Sequence, residues 1–477
     1  MQRIVGGLVL AAGLVSAAPA APAAEVGVKE VGATTEDRQA ELERRLAEVM
    51  AEVESQRAEI QDLKVRLHTG QEEGGIDAAV RRYLESEDGK KALGRGDSDF
   101  RAFWKDGLNF ETPNKDFHLK VNGRIMQDWA WVDADPDVEA GTGPFMNATE
   151  FRRLRVEMTG SIYKNIYYAN VLDFSGATHA FKDQYIGISD LPYVGRFQVG
   201  YFKEPFSLEE QTSSKYITFM ERSLVNTFSP AHNSGFMIAN SAMEGRATWA
   251  LGTFSDTSGV GMGEIANNWA ARVTGTPWVD KESNSLVHVG LSYSMRHPQS
   301  ESARLRARPE IHVGPRVVDT GAFSVEDSSL LGLEAAYVRG PFSLQGEWAR
   351  YEADHNPAAG PGEDPTFGGW SLSASYWLTG ESRPYKKGSF GRVKPKNRFD
   401  GDGGSGAWEV ALRYSSIDLD DGAITGGKAK DVTLGVNWHL NPSTRIMLNY
   451  VMSDVSDGLG GADGDVDTFM IRFQIDF

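Results

Sequence analysis

Two stretches of the sequence set arginines at every second position. Arg153 and Arg155 alternate with Leu154 and Val156, and Arg304, Arg306 and Arg308 alternate with Leu305 and Ala307. In an extended chain this spacing turns the arginines of each stretch to one face. A row of planar guanidinium groups binds phosphate or carboxylate oxygens bidentately, so these residues suit the guidance of an anion. Three more basic residues, Lys203, Lys215 and Arg222, lie in or beside a charged and partly apolar segment at 204–234, next to Tyr201 and Phe202. Fixed cations at a narrow, low-dielectric place select anions. Within the same segment Lys203 and Arg222 have Glu204, Glu209, Glu210 and Glu221 for partners, and ion pairs of that kind would simply fix the segment in place.

Other chemistry is poorly supported. The tracts Asp400-Gly401-Asp402-Gly403-Gly404 and Asp463-Gly464-Asp465-Val466-Asp467 invite calcium, but neither has the Gly and Glu spacing of a helix-loop-helix site. A loose divalent bridge from them to lipopolysaccharide is the weaker form of that reading. The nine His residues show no metal-ligand spacing, and no phosphate-cradling or nucleophile-elbow motif occurs. A membrane lipase would need a Ser–His pair, and His232 beside Ser229 and Ser234 is the nearest approach. With no Cys there is no thiol chemistry or disulfide framework. The sequence thus implies no enzyme, no cofactor and no resident metal. A net charge of −17 argues against a nucleic-acid partner, although pore selectivity depends on local rather than total charge.

The elements that must position these residues are strands. From about residue 107 apolar and polar residues alternate with a period of two. Phe469, Ile471, Phe473, Ile475 and Phe477 alternate with Met470, Arg472, Gln474 and Asp476; Val432, Leu434, Val436, Trp438 and Leu440 alternate in the same way. Each run is about nine to eleven residues, the length a tilted strand needs to cross a bilayer, against about five or six in an ordinary soluble sheet. Runs at 117–132, 151–162, 166–174, 181–189, 196–203, 235–242, 246–254, 267–277, 285–295, 331–339, 342–351, 367–378, 406–416, 431–440, 444–453 and 468–477 number sixteen. Polar residues opposite the apolar ones suit a wide, water-filled lumen. Short links at 340–341 and 441–443 read as periplasmic turns. Longer segments near 133–150, 296–330, 352–366, 380–405 and 454–467 read as outer loops.

The N-terminal residues read differently. Arg3 followed by the apolar run Ile4–Val15 and the small-residue sites at 18–23 suggests a signal peptide over 1–24. Residues 36–68 carry heptads, with Leu46, Val53, Ile60 and Leu67 at one core position and Leu42, Val49, Gln56 and Leu63 at the other, the pattern of a periplasmic coiled coil. Residues 69–106 read as a linker holding a short helix. No later segment has eighteen consecutive apolar residues, so an exported chain of this composition crosses a membrane only as a closed barrel. The fold class is therefore an all-β, transmembrane antiparallel barrel of about sixteen strands over 107–477, preceded by an α-helical coiled coil.

Two motifs add a resemblance. Phe202-Lys203-Glu204-Pro205-Phe206-Ser207-Leu208-Glu209-Glu210-Gln211-Thr212-Ser213-Ser214 and Thr218-Phe219-Met220-Glu221-Arg222-Ser223-Leu224 resemble the phosphate-selective porin O and P family, as do the stretches at 306–310 and 318–321. The resemblance implies a homotrimeric outer-membrane porin with small anions as permeants. It also implies that the third outer loop, here 204–234, folds inward to narrow each pore. The aromatic C-terminus, Phe477, resembles the signal read by the barrel-insertion machinery. Lipid and lipopolysaccharide would surround such a barrel. An alternative is a general or cation-leaning porin whose coiled coil tethers the outer membrane to the cell wall.

Overall fold

Alternation sorts side chains between two environments, and the structure, a computed structural model, shows which is which. Phe473 is 49% exposed on the outer face, whereas Arg472 beside it is fully buried on the inner one. A soluble sheet would reverse that order; a barrel in lipid requires it. The structure describes residues 100–176, 180–255, 268–360 and 362–477, together with 44, 47, 50–55, 57–59, 82, 83 and 86. The chain divides into two units, Met1–Gly96 and Asp97–Phe477. In the first, the described positions between 44 and 59 are helical. The expected signal peptide, most of the heptads of 36–68 and most of the linker lie outside the described residues.

The second unit begins with a short hairpin, β1 (Arg101–Trp104) and β2 (Leu108–Glu111). Eight strands follow: β3 (Phe117–Ala134), β4 (Ala148–Ile162), β5 (Ile166–Asp173), β6 (Ala180–Leu191), β7 (Gly195–Lys203), β8 (His232–Ala242), β9 (Ala247–Phe254) and β10 (Asn268–Asp280). Eight more complete the set: β11 (Ser285–Arg296), β12 (Asp327–Arg339), β13 (Phe342–Asp354), β14 (Thr366–Trp377), β15 (Ala407–Asp421), β16 (Ile424–Asn441), β17 (Thr444–Ser456) and β18 (Gly464–Asp476). Each of the sixteen from β3 pairs antiparallel with the next, and β18 closes on β3 with Phe469 opposite Trp131 and Asp476 opposite Arg124. Closure leaves no unpaired edge in the hydrocarbon layer. Below this seam β2 takes over the pairing to β3, Leu108 opposite Val121 and Glu111 opposite His118. The sixteen strands correspond to the sixteen alternating runs.

One segment lies on the other side of the membrane from its expected place. An up-and-down barrel reverses direction at every strand, so β14 returns to the end where the turn at 340–341 joins β12 to β13. The segment 378–406 after it therefore lies at the same end of the barrel as the turns at 340–341 and 441–443, which read as periplasmic, and not with the expected outer loops, and it carries the Asp400 tract with it. Its length misled, because length alone does not fix the side. Within that tract the Asp400 carboxylate accepts from its own turn, from the backbone N–H groups of Asp402 and Gly404.

The wall is uneven. Strands β5, β7 and β9 have eight, nine and eight residues, while β3 and β16 have eighteen each. Three segments fill much of the interior beside the taller wall: 204–231, 297–326 and 378–406. Phe206, Met220, Phe228, Ile311 and Val317 from the first two form an apolar core with the inward faces of Met447, Val451 and Val455. This inner core, rather than the outer wall, fixes the loops.

Candidate functional site

Segment 204–231 leaves the wall at β7 and is held by side chains on distant strands. Ser207, at φ 63°, caps a one-turn helix at Leu208–Gln211 by accepting from the Glu210 N–H. Its hydroxyl donates to Glu347 on β13 at 2.6 Å, and the Glu209 N–H donates to the same carboxylate at 2.7 Å. Farther along, Asn437 donates to the Thr218 carbonyl at 2.8 Å and Arg445 to the Ile217 carbonyl at 2.8 Å. Asn449 accepts from the Met220 N–H, and Arg472 donates to the Met220 carbonyl. Polar side chains of β16 to β18 thus satisfy backbone groups of a segment that has no sheet partner of its own.

Carboxylates of this segment take up most of its neighbouring cations. Lys203 and Arg222 share Glu210, at 2.8 and 3.2 Å. Burial opposes ionisation of Glu210, but Arg222 and Lys203 outweigh it and hold the carboxyl down to about 2. Lys215 reaches Glu157 at 2.9 Å, a carboxylate that also binds Arg124. Burial and the repulsion of Arg124 lower the Lys215 ammonium, against the pull of Glu157. Glu221 receives two bonds from Arg152, at 2.7 and 2.8 Å, and one from Arg472, which also grips Asp128. Burial works against its ionisation, yet Arg152 and Arg153 keep the Glu221 carboxyl far below the usual range. Glu204 binds Arg296, and Glu209 lies 3.2 Å from Arg413. Arg413 also binds Glu310 of the segment 297–326 and stacks on Phe219, 4.4 Å from the ring centre. Burial pushes the Glu310 carboxyl up, against the pull of Arg413.

The remaining sequence candidates divide. Arg155 binds Asp173 at 2.7 Å. Arg153 is buried, 3.6 Å from the Met126 sulfur and 4.0 Å from Glu221, with its Nε unpartnered. Arg304 makes two bonds to Asp319, at 2.7 and 2.6 Å. Arg308 donates to the Gly314 carbonyl, and Arg306 is exposed with no ion pair among the described residues. Arg304, Arg306 and Arg308 all stand within electrostatic reach of Arg316.

Several basic residues escaped the sequence reading. Arg152 turns inward because β4 bulges against β3 between Met126 and Gln127, and no pattern in the sequence marks that bulge. Arg316 has no alternating basic neighbour in the sequence, and Lys182 on β6 lies near Arg155 and Asp173. Arg196, Lys386 and Lys387 line a cavity of about 990 Å³ between β6–β10 and the segment 378–406. Arg272 also lines it, but binds Glu334 and the Gly388 carbonyl. Arg196 was visible as a strand residue. The two lysines lay in a segment assigned to the wrong side.

A closed sixteen-strand barrel with an apolar outer face, a charged interior and loops folded into it defines an outer-membrane porin, a channel rather than an enzyme. The family model for phosphate-selective porins O and P matches residues 119–477, and the chain belongs to that family. Porin O of Pseudomonas aeruginosa is 29% identical over 416 residues, covering 78% of this chain and 91% of that one. An uncharacterized protein of Caulobacter vibrioides is 28% identical over 394 residues, 78% of this chain and 76% of its own. Among solved structures, an anion-selective porin from Comamonas acidovorans shares the fold, with a TM-score of 0.50 and 14% identity over 76% of this chain and all of that one.

Proposed function

We propose that this porin passes small anions, phosphate among them, and that segment 204–231 is the narrowing element of its pore. The observation that carries this reading is the division of the basic residues. Those paired with carboxylates, Lys203, Lys215, Arg222, Arg153, Arg155 and Arg304 among them, brace the inner loops or the wall behind them. Those without a carboxylate partner among the described residues mark a track: Arg306, Arg308 and Arg316 at the outer mouth, and Arg196, Lys386 and Lys387 around the inner cavity. An anion meets net positive charge only where no carboxylate neutralises it, and low-dielectric walls strengthen that field. The name of the family and the anion selectivity of the Comamonas porin support the same reading.

The reading extends to assembly. The low wall at β5–β9, with Ile186, Val199 and Phe236 exposed on it, suits contact between copies in a trimer. The heptads of 36–68 suit a periplasmic stalk for that trimer or a tether to the cell wall, exported by a signal peptide at 1–24. Phe477, whose backbone pairs with Gly123, suits the contact made during insertion. The surrounding layer would be lipid and lipopolysaccharide.

The test is the zero-current potential of the purified protein in a planar bilayer under a potassium chloride gradient, followed by titration with phosphate. The expected result is an anion-selective potential and a chloride current that phosphate blocks. A cation-selective potential without block would instead make this a general, cation-leaning porin.

A further inference from the structure

The lumen of a porin is ordinarily polar, and the wall from β15 to β18 is rich in inward Glu, Arg, Asn and Ser. The wall from β7 to β10 departs from that rule. Phe202, Met237, Ala239, Phe254 and Ala270 form an apolar cluster there, with Ala250 and Tyr185 packed on it. Tyr185 meets Phe202 edge to face at 6.0 Å, and Phe202 meets Phe254 at 5.6 Å. The strand register turns all of these inward, since Phe236 and Leu251, the alternate residues of β8 and β9, are 52% and 40% exposed on the lipid side. The rings cover one another at the upper end of the cluster. At its lower end Met237, Ala239 and Ala250 line the cavity of about 990 Å³.

The same cavity is bordered by Arg196, Lys386 and Lys387, none in an ion pair among the described residues, and by one carboxylate, Asp190, which accepts from the Ser189 hydroxyl and leaves the lining net positive. One chamber therefore combines an apolar face with free cations. A hydrated inorganic anion gains nothing from the apolar face. A molecule with an anionic head and an apolar body would satisfy both.

We propose that this chamber is a binding site for organic anions with an apolar body, aryl or alkyl phosphates and carboxylates. The head sits on Arg196, Lys386 and Lys387, and the body lies on Met237, Ala239 and Ala250. The inference rests on the anion-channel reading above and names a substrate class for it.

The experiment uses the full-length protein in planar bilayers, carrying chloride current, with blockers added from each side in turn. Phenyl phosphate should half-block at a concentration roughly tenfold below inorganic phosphate, the effect of laying one ring face on an apolar wall. Benzyl alcohol, with the ring and no charge, should not block. In Met237→Asn, and separately in Ala250→Asn, the phenyl-to-inorganic ratio should fall to within about twofold, since either change wets the apolar face. Both side chains face the lumen, where polar residues are tolerated, so both variants should assemble. Equal potency of the two phosphates on wild-type channels overturns the proposal, as does a preference that survives both substitutions. An anion-selective channel with equal block removes this inference alone. A cation-selective wild-type potential removes the anion reading and this inference together.

Discussion

The two sides of the barrel use charge in opposite ways. From β15 to β18, Arg413, Arg445 and Arg472 are almost wholly buried, and each holds a loop carboxylate or carbonyl. From β6 to β10 the wall is partly apolar, and Arg196 faces a cavity without a carboxylate partner among the described residues. Buried charge is costly unless it is paired and hydrogen-bonded, so the first wall has a structural task. Exposed, unpaired charge contributes little to stability and is free to act on a permeant ion. A residue's type and its place in the lumen are therefore not enough to make it a filter; its partner decides.

The sharpest way to break this comparison is Arg472→Met. The change strands Asp128 in the interior, leaves Glu221 to Arg152 alone among its close partners, and frees the Met220 carbonyl. Leaving buried charges unpaired costs about 3–5 kcal/mol. The variant should lose its barrel structure at a clearly lower temperature, read by circular dichroism in detergent, and its channels should fluctuate as segment 204–231 loosens. A melting temperature equal to wild type would show that the paired wall is not structural.

Glu210→Gln sharpens the comparison by turning paired cations into unpaired ones. Lys203 and Arg222 would keep their bonds to backbone carbonyls but lose their shared countercharge. The zero-current potential should then move toward stronger anion selectivity, by less than the shift expected from removing the free cations. A move toward cations would contradict the assignment of these residues to bracing.

The smallest effect concerns pH. A carboxylate held below its ordinary value contributes stability that is present above the unfolded value and lost as pH falls through the folded one. With Glu210 held at about 2, its clamp on Lys203 and Arg222 should release only as pH nears that value. Channel noise should be unchanged from neutral pH down to about pH 4, near the ordinary carboxyl value. Noise that rises well above that pH would mean that Glu210 is not the clamp.

The wall was legible because lipid on one side and water on the other impose alternation on every crossing strand, and all sixteen runs carry it. Strand ends were less clear. The runs at 406–416 and 431–440 extend to Asp421 and down to Ile424, through Asp, Lys and Gly residues that stand above the apolar band. The β1–β2 hairpin has four residues per strand, too few for a period to show. The site was legible in kind but not in pairing. Glu204, Glu209, Glu210 and Glu221 were all possible partners for Lys203 and Arg222, and only the three-dimensional path gives Glu210 to both. The others go to Arg296, Arg413 and Arg152, residues about 70 or more positions away in sequence for which no local pattern exists.

The most direct test of the division between bracing and free cations is the zero-current potential of Lys386→Glu/Lys387→Glu beside wild type, in the same potassium chloride gradient. These lysines hold no partner whose loss would unfold the loops, so barrel stability should be kept. The account predicts an anion-selective wild type and a variant whose potential moves toward cations. An unchanged potential in a normally assembled variant would contradict it, because the free cations would then not be acting on the ions that pass.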